Sequence, residues 1–212
     1  MDSYDNALSK IISSFIKGVF LMTKIQKTQK GEPEYLNQQK KVVFIRTIIM
    51  FAISLGIFLL GYLSTKTKAN LLSVVAVLGL LPASKSLVSL IMYLRTPKYS
   101  QQTLQSVQLA VGEVPTLYHL YLTSYKENFP LNCVSIRGNN IIGYTEFDTC
   151  NTTACEEHLK IIVAQNSFKN INIKIFKSSE FKKFEERLSQ LQKAEVGKKE
   201  EDLLTLIKDI SL

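Results

Sequence analysis

The stretch that decides the fold is SLGIFLLGYLSTKTKANLLSVVAVLGLLPASK (Ser54–Lys85), two apolar runs parted by a short patch that carries Lys66 and Lys68. Either it is the folded-back core of a soluble domain or it is a helical hairpin made for a bilayer. The first run reaches back to Thr47, so that Thr47–Thr65 gives 19 residues without a charged side chain. At about 1.5 Å per helical residue it extends roughly 28 Å, close to the thickness of a hydrocarbon core. Its residues, TIIMFAISLGIFLLGYLST, are apolar on every helical face and leave no stripe to turn toward water. Ala69–Ser84 adds 16 uncharged residues, followed by Lys85 and then SLVSLIMYL up to Arg95. A secretory signal would need an earlier start and a small-residue cleavage site, and this run begins too late for one. The soluble alternative requires two helices buried on all sides, inside a domain with too little remaining sequence to cover them.

Lys85 needs a place, because a lysine at mid-bilayer costs about 2.5–3.5 kcal/mol. Arg46 lies 20 positions before Lys66, and Lys85 lies 17 positions after Lys68. In an antiparallel hairpin both cations fall at similar depth near one face, where their long stems carry the charge to the headgroups. The expected spans are therefore about Arg46–Lys66 and Lys68–Lys85. Arg46, Lys66, Lys68 and Lys85 serve as interface anchors, and Pro82 can kink the second helix near its end. Before the first span come Lys10, Lys17, Lys24, Lys27, Lys30, Lys40 and Lys41, against only Lys66 and Lys68 in the loop. That imbalance places a two-pass protein in a cell membrane with both termini cytoplasmic. The glycosylation-like Asn151-Thr152-Thr153 then never meets the lumen and reads as chance.

The chain has 212 residues and a formal net charge of +8, which admits anionic lipid, nucleic acid or an acidic partner. Cys133, Cys150 and Cys155 are an odd number in a long chain, which suits a reducing compartment better than a disulfide scaffold. Residues 1–41 divide into an amphipathic helix and a polar linker. Leu8, Ile11, Ile12, Phe15, Ile16, Val19 and Phe20 recur at helical spacing opposite Lys10, Lys17 and Lys24. Such a helix lies in a headgroup layer or packs on a neighbouring element. GEPEYLNQQKK (Gly31–Lys41) leads as linker into the hairpin of residues 42–95.

Residues 96–212 read as a cytosolic α/β domain. Gln101–Val111 is a short helix broken by Pro115, and TLYHLYLTSY (Thr116–Tyr125) is a strand rich in Tyr, Leu and Thr. Leu131–Arg137 and Ile141–Phe147 are strands joined across Gly138-Asn139-Asn140, a hairpin signal. Ala154–Asn166 is a helix, and NINIKIF (Asn170–Phe176) alternates as a strand. Ser178–Lys193 is a helix opened by Ser178 or Ser179, with Phe181, Phe184, Leu188 and Leu191 on one side. Glu200–Ile210 closes the series as a last helix.

That order of helix, three strands, helix, strand, helix, helix resembles the core of the restriction-endonuclease-like nucleases, the PD-(D/E)xK superfamily, over roughly residues 101–177. The resemblance implies an Asp entering the second strand and an acid-x-Lys on the third, which together bind Mg²⁺ and activate water. Here the second strand, LNCVSIR, offers no carboxylate, and the third supplies Glu146 and then Asp148 without a lysine. The resemblance thus implies a shared core whose nuclease chemistry is lost, with Glu146 and Asp148 as a weak candidate site. Carboxylates at the end of a hairpin strand are ordinarily just solvated.

Other constellations are weaker. Cys150, Cys155 and His158, with Cys133 elsewhere, are soft zinc ligands at irregular spacing. A cysteine nucleophile paired with His119 or His158 has no recognisable motif. No phosphate-cradling glycine loop and no HExxH occurs. Lys174, Lys177, Lys182, Lys183 and Arg187 interleave with Glu180, Glu185 and Glu186, which gives helical charge pairs rather than a basic stripe for nucleic acid. The sequence calls for no cofactor and no catalytic residue. The expectation is a membrane-anchored interaction or sensory module, whose domain takes a protein partner or small ligand and whose hairpin can also form a homo-oligomer. A tethered nuclease-like enzyme and a two-helix pore-forming assembly are the alternatives, the latter through Gly56 and Gly61 as close-packing positions.

Overall fold

The computed structural model describes residues 28–65, 71–197 and 199–212. The amphipathic segment expected before residue 26 and the loop cations Lys66 and Lys68 lie outside the described residues. Asn37–Arg95 belongs to one compact unit, and Gln29–Leu36 joins Thr96–Leu212 in a second.

The first unit holds two long apolar helices, α1 (Tyr35–Thr65) and α2 (Leu71–Leu94), of 31 and 24 residues. Their lengths are about 46 and 36 Å at the usual helical rise. α1 starts well before the boundary expected at residue 42, because Leu36, Gln38, Gln39, Lys40 and Lys41 are good helix formers that continue the helix through polar sequence. Pro82 lies inside α2.

Small side chains make the contact between the two helices. An added Cβ on Gly79 would stand 2.8 Å from Ser54 Oγ, so the backbones approach closely there. Ser54, Ala76, Ala83 and Ser86 are buried. Arg46 Nε donates to Ser86 Oγ (3.2 Å), which lies 2.9 Å from Thr47 Oγ1, and Thr47 Oγ1 donates to the Val43 carbonyl (2.8 Å). Each hydroxyl has one proton, so the relay runs in one direction: Arg46 to Ser86, Ser86 to Thr47, Thr47 to Val43. Large side chains lie on the outside, with Leu55 59%, Leu63 71%, Val77 61% and Leu81 70% exposed. Gly56, named above as a close-packing position, has nothing within 4 Å of an added Cβ, and the close approach falls at Gly79 instead.

The second unit is a four-stranded sheet with helices on both faces. Its elements are α3 (Gln101–Val111), β1 (Thr116–Thr123), β2 (Asn128–Arg137), β3 (Asn140–Thr145), α4 (Thr152–Gln165), β4 (Asn172–Lys177), a 3-10 turn at Ser178–Glu180, α5 (Phe181–Gln192) and α6 (Glu200–Ile210). Strand order is β1-β2-β3-β4. The first three strands form an antiparallel meander, and β4 runs parallel to β3 after the α4 crossover. One face packs Leu120, Leu131, Val134 and Ile141 against Leu159 and Val163 of α4 and Leu203 and Ile207 of α6. The other packs Cys133, Ile142, Tyr144 and Phe176 against Val107 of α3 and Phe184 and Leu188 of α5. Ser178, expected to open the last long helix, bonds Asp148 instead, and the chain enters α5 through the 3-10 turn.

Both rims of the sheet carry partners from outside it. Along β1, Tyr118 N–H donates to the Gly31 carbonyl (2.7 Å) and Leu212 N–H to the Tyr121 carbonyl (3.0 Å). Gly31 takes φ +91°, and a Cβ there would strike Leu117 Cδ2 at 2.6 Å, so this strap fits only as glycine. Lys30 Nζ fastens it by donating to the carbonyls of Lys208 (3.0 Å) and Ser211 (2.7 Å) at the end of α6. The segment read as linker is therefore partly a rim of the domain. Along β4, Ile175 N–H donates to Glu156 Oε1 (2.9 Å), which also pairs with Lys174 (3.1 Å). These partners blunt edges that would otherwise pair with other strands.

Glu200 is buried, and its Oε1 accepts from Gly138 N–H (2.6 Å) in the β2–β3 turn and Gly197 N–H (2.8 Å) before α6. Replacing Glu200 with Ala leaves two backbone donors unpaired and costs about 2–4 kcal/mol. Hydrogen exchange on the full chain reads this as faster exchange of the Gly138 turn and the start of α6. Separately, Gly79→Leu drives α1 and α2 apart whereas Gly56→Leu does not. Protease resistance of the helix pair in detergent falls for the first and stays at the wild-type level for the second.

Candidate functional site

The two acids singled out from the sequence sit on different partners. Glu146 follows β3; its N–H donates to Asn132 Oδ1 (2.8 Å), and its carboxylate accepts from Ser100 N–H (2.9 Å) and Thr103 Oγ1 (2.7 Å). Ser100 is the N-cap of α3, with its own side chain accepting from Thr103 N–H. The Glu146 carboxylate thus lies where a helix leaves its first amides unpaired and where the helix dipole favours negative charge. It is held in place rather than simply solvated. Asp148 is exposed and accepts from Ser178 Oγ (3.2 Å). No group of three His, Cys, Asp or Glu side chains among the described residues is set to hold a metal ion.

Around Glu146 the structure assembles a polar node that no motif announced. The Tyr99 ring stacks on His119 with centroids 4.4 Å apart and meets Phe147 edge-on at 5.4 Å. Tyr99 donates its hydroxyl to the Leu120 carbonyl (2.8 Å), and burial pushes its ionisation far above the ordinary phenol range. His119 takes φ +49°, a left-handed backbone, and its Nδ1 hydrogen-bonds the Pro33 carbonyl. A carbonyl only accepts, so Nδ1 carries the proton and Nε2 presents a lone pair. Burial lowers the His119 pKa below the ordinary imidazole value of 6.5, against the opposing pull of the Pro33 bond and the Glu146 charge.

The left-handed residue also resets the strands. The inward positions run Leu117, Leu120, Leu122 on β1 and Leu131, Val134, Ile136 on β2, so the two-residue alternation skips one position on each. His119 and Asn132 are those positions. They fall opposite one another between the pairs Tyr118–Cys133 and Leu120–Leu131. Both side chains are buried, and His119 Nε2 and Asn132 Nδ2 have no hydrogen-bond partner among the described residues. One is an acceptor and the other a donor.

Of the cysteines, Cys150 borders this node, its N–H donating to the Phe147 carbonyl (3.0 Å). Cys133 packs on the α3/α5 face, Cys150 and Cys155 on the α4/α6 face, and all three thiols are free. Burial raises the pKa of each thiol above its ordinary value, which favours the protonated form at neutral pH. His158 lies against Phe129 with centroids 5.7 Å apart. Of the cations expected to interleave with acids near β4 and α5, Lys183 pairs with Glu180 (3.0 Å) and Lys174 pairs with Glu156. In the helix pair, Arg46 is tied to Ser86 and Lys85 is exposed. Comparison with protein-family models, curated proteins and solved structures finds no match to this chain.

The two histidines and the two acids can each be tested. His119 and His158 both have pKa values lowered by burial, so the unfolded chain binds more protons between the folded value and about 6.5. Stability is full above that window and falls as pH drops through it. Thermal unfolding of the full chain measured from pH 8 downward shows that loss; His119→Gln and His158→Gln each flatten the slope. Glu146→Ala removes the acceptor at α3 and lowers stability by about 1 kcal/mol, while Asp148→Ala stays within about 0.5 kcal/mol of wild type, by denaturant titration.

Proposed function

We propose that this chain is a membrane-anchored, non-enzymatic interaction or sensory module. In this reading α1 and α2 cross a cell membrane as a hairpin, both ends of the chain are cytoplasmic, and the α/β unit takes a protein partner or a small polar ligand. One observation carries the anchoring: seventeen large apolar side chains between Phe44 and Leu94 are exposed, while the seam between the helices is built from Ser, Thr, Ala and Gly. At about 1.5–3 kcal/mol for each large side chain left in water, no soluble domain of this size sustains such a surface. In lipid the arrangement is sensible, because leucine gains nothing by leaving the tails and close contact comes from small residues. The lysine imbalance across the hairpin supports the cytoplasmic placement of both ends.

The module reading of the α/β unit rests on its chemistry. Its thiols are protonated, Glu146 is engaged by α3, and Asp148 is tied to a separate element. What remains is a pair of buried hydrogen-bonding atoms on facing strands, a feature of recognition rather than of turnover.

Alkaline carbonate treatment of membranes from cells expressing the full chain leaves it in the pellet; release into the supernatant overturns the anchoring. Sidedness is read with single cysteines at residue 67 and at Tyr125, which is fully exposed, against a background of buried native thiols. A membrane-impermeant maleimide labels Thr67→Cys on intact cells and Tyr125→Cys only after permeabilisation. The reverse pattern inverts the topology.

A further inference from the structure

The chain enters the helix pair just after Pro33 and leaves it just before Tyr99, and three consecutive residues of β1 hold both points. Pro33 lies two residues before α1 begins at Tyr35, and Tyr99 lies five residues after α2 ends at Leu94. Tyr118 N–H donates to the Gly31 carbonyl, His119 Nδ1–H donates to the Pro33 carbonyl, and the Leu120 carbonyl accepts from the Tyr99 hydroxyl. The Tyr99 ring also stacks on the His119 ring, with centroids 4.4 Å apart and planes 11° from parallel. One imidazole therefore touches the incoming and the outgoing chain at once. It does so from a left-handed backbone, φ +49°, which costs a residue other than glycine free energy.

This clamp suits a neutral ring. Protonation places a second N–H on Nε2, which is buried and has no partner among the described residues. The Glu146 charge acts on the ring, but its carboxylate already accepts from Ser100 N–H and Thr103 Oγ1. The Pro33 bond and the Glu146 charge favour an imidazolium, burial opposes it, and burial is the larger effect. Other titratable groups about the clamp are the Tyr99 phenol, on which Tyr121 and Cys150 act, and Glu32 and Glu34, exposed on either side of Pro33. Lys30, next to Gly31, is bonded to the end of α6, where Asp209 acts on it. None of these gives Nε2 a partner.

We propose that His119 is a proton-operated latch: neutral, it ties the entry to α1 and the exit from α2 to β1, and on protonation its ring turns out to water and lets both go. The latch rests on the sensory reading above and gives it a stimulus, acidification of the cytoplasmic side. Histidine is the side chain whose charge ordinarily changes in that range. The open form carries an ordinary imidazole, so the opening constant rises by up to about tenfold per pH unit below 6.5 until the folded value is reached.

The test is hydrogen exchange of the full chain in phosphatidylcholine nanodiscs from about pH 7.5 to about pH 5, corrected for the intrinsic pH dependence of exchange. The reporter is the Tyr118 amide, which the Gly31 carbonyl protects. Its protection falls about tenfold across that range, while amides of the β2–β3 ladder hold steady. His119→Asn, which tolerates the left-handed backbone and does not titrate, abolishes the response, and His158→Gln leaves it as in wild type. Glu146→Gln removes the charge that favours the imidazolium yet keeps an oxygen for α3, so it deepens the loss at the acid end. Constant Tyr118 protection, an equal response in His119→Asn, or a loss shared by the β2–β3 ladder overturns the latch. So does an acid-end loss that Glu146→Gln leaves unchanged or reduces, a result that counts even where His119→Asn fails to fold. Carbonate extraction of the same preparations separates the two levels: a chain that stays in the membrane with a pH-blind Tyr118 amide retires the latch alone, whereas a chain that is released retires the anchored module beneath it.

Discussion

The close contact of Ser54 with Gly79 governs the first unit. Two long helices come within reach of each other there because one contributes a hydroxymethyl group and the other no side chain at all. Thr47, Ala76, Ala83 and Ser86 continue the seam, and the leucines, valines and phenylalanines are left facing away. A water-soluble fold sorts its residues the other way, since burial of large apolar groups drives its collapse. Both helices are long and apolar enough to span a bilayer, and their seam is one of packing and polar contact. The Arg46–Ser86–Thr47–Val43 chain is such a contact. It gives each hydroxyl a defined role.

The second unit follows opposite rules. Its sheet has an apolar layer on each face, and its polar groups are positioned one by one. Glu200 fastens the β2–β3 turn to the start of α6, Glu146 caps α3, and Glu156 serves the outer amide of β4. Three glutamates that composition would assign to a wet surface each accept from a backbone amide. The exceptions are His119 Nε2, Asn132 Nδ2 and Arg137 Nε, buried atoms with no partner among the described residues, and the first belongs to a left-handed histidine. A buried polar group without a partner is costly.

Much of this fold was legible in the sequence. Glycine and asparagine at 138–140 announced the hairpin, alternation in NIKIF announced β4, and the 3-4-3 spacing of Phe181, Phe184, Leu188 and Leu191 announced α5. The uncharged run from Thr47 announced α1. The node was not legible. Glu146 meets Ser100 and Thr103 across more than forty residues, and His119 takes its positive φ inside a run that reads as an ordinary strand. Residues 31–41 read as linker because they are polar, yet Gly31 and Pro33 join the sheet rim through backbone carbonyls, which leave no trace in side-chain pattern. Gly56 and Gly79 look alike as sequence; only the neighbouring helix tells them apart.

The bonds along the sheet rims bear on stickiness. Unpaired amides and carbonyls at a strand border are a template on which a foreign strand can add. With Gly31 and Leu212 engaged along one border and Glu156 along the other, an incoming strand finds part of that template already occupied.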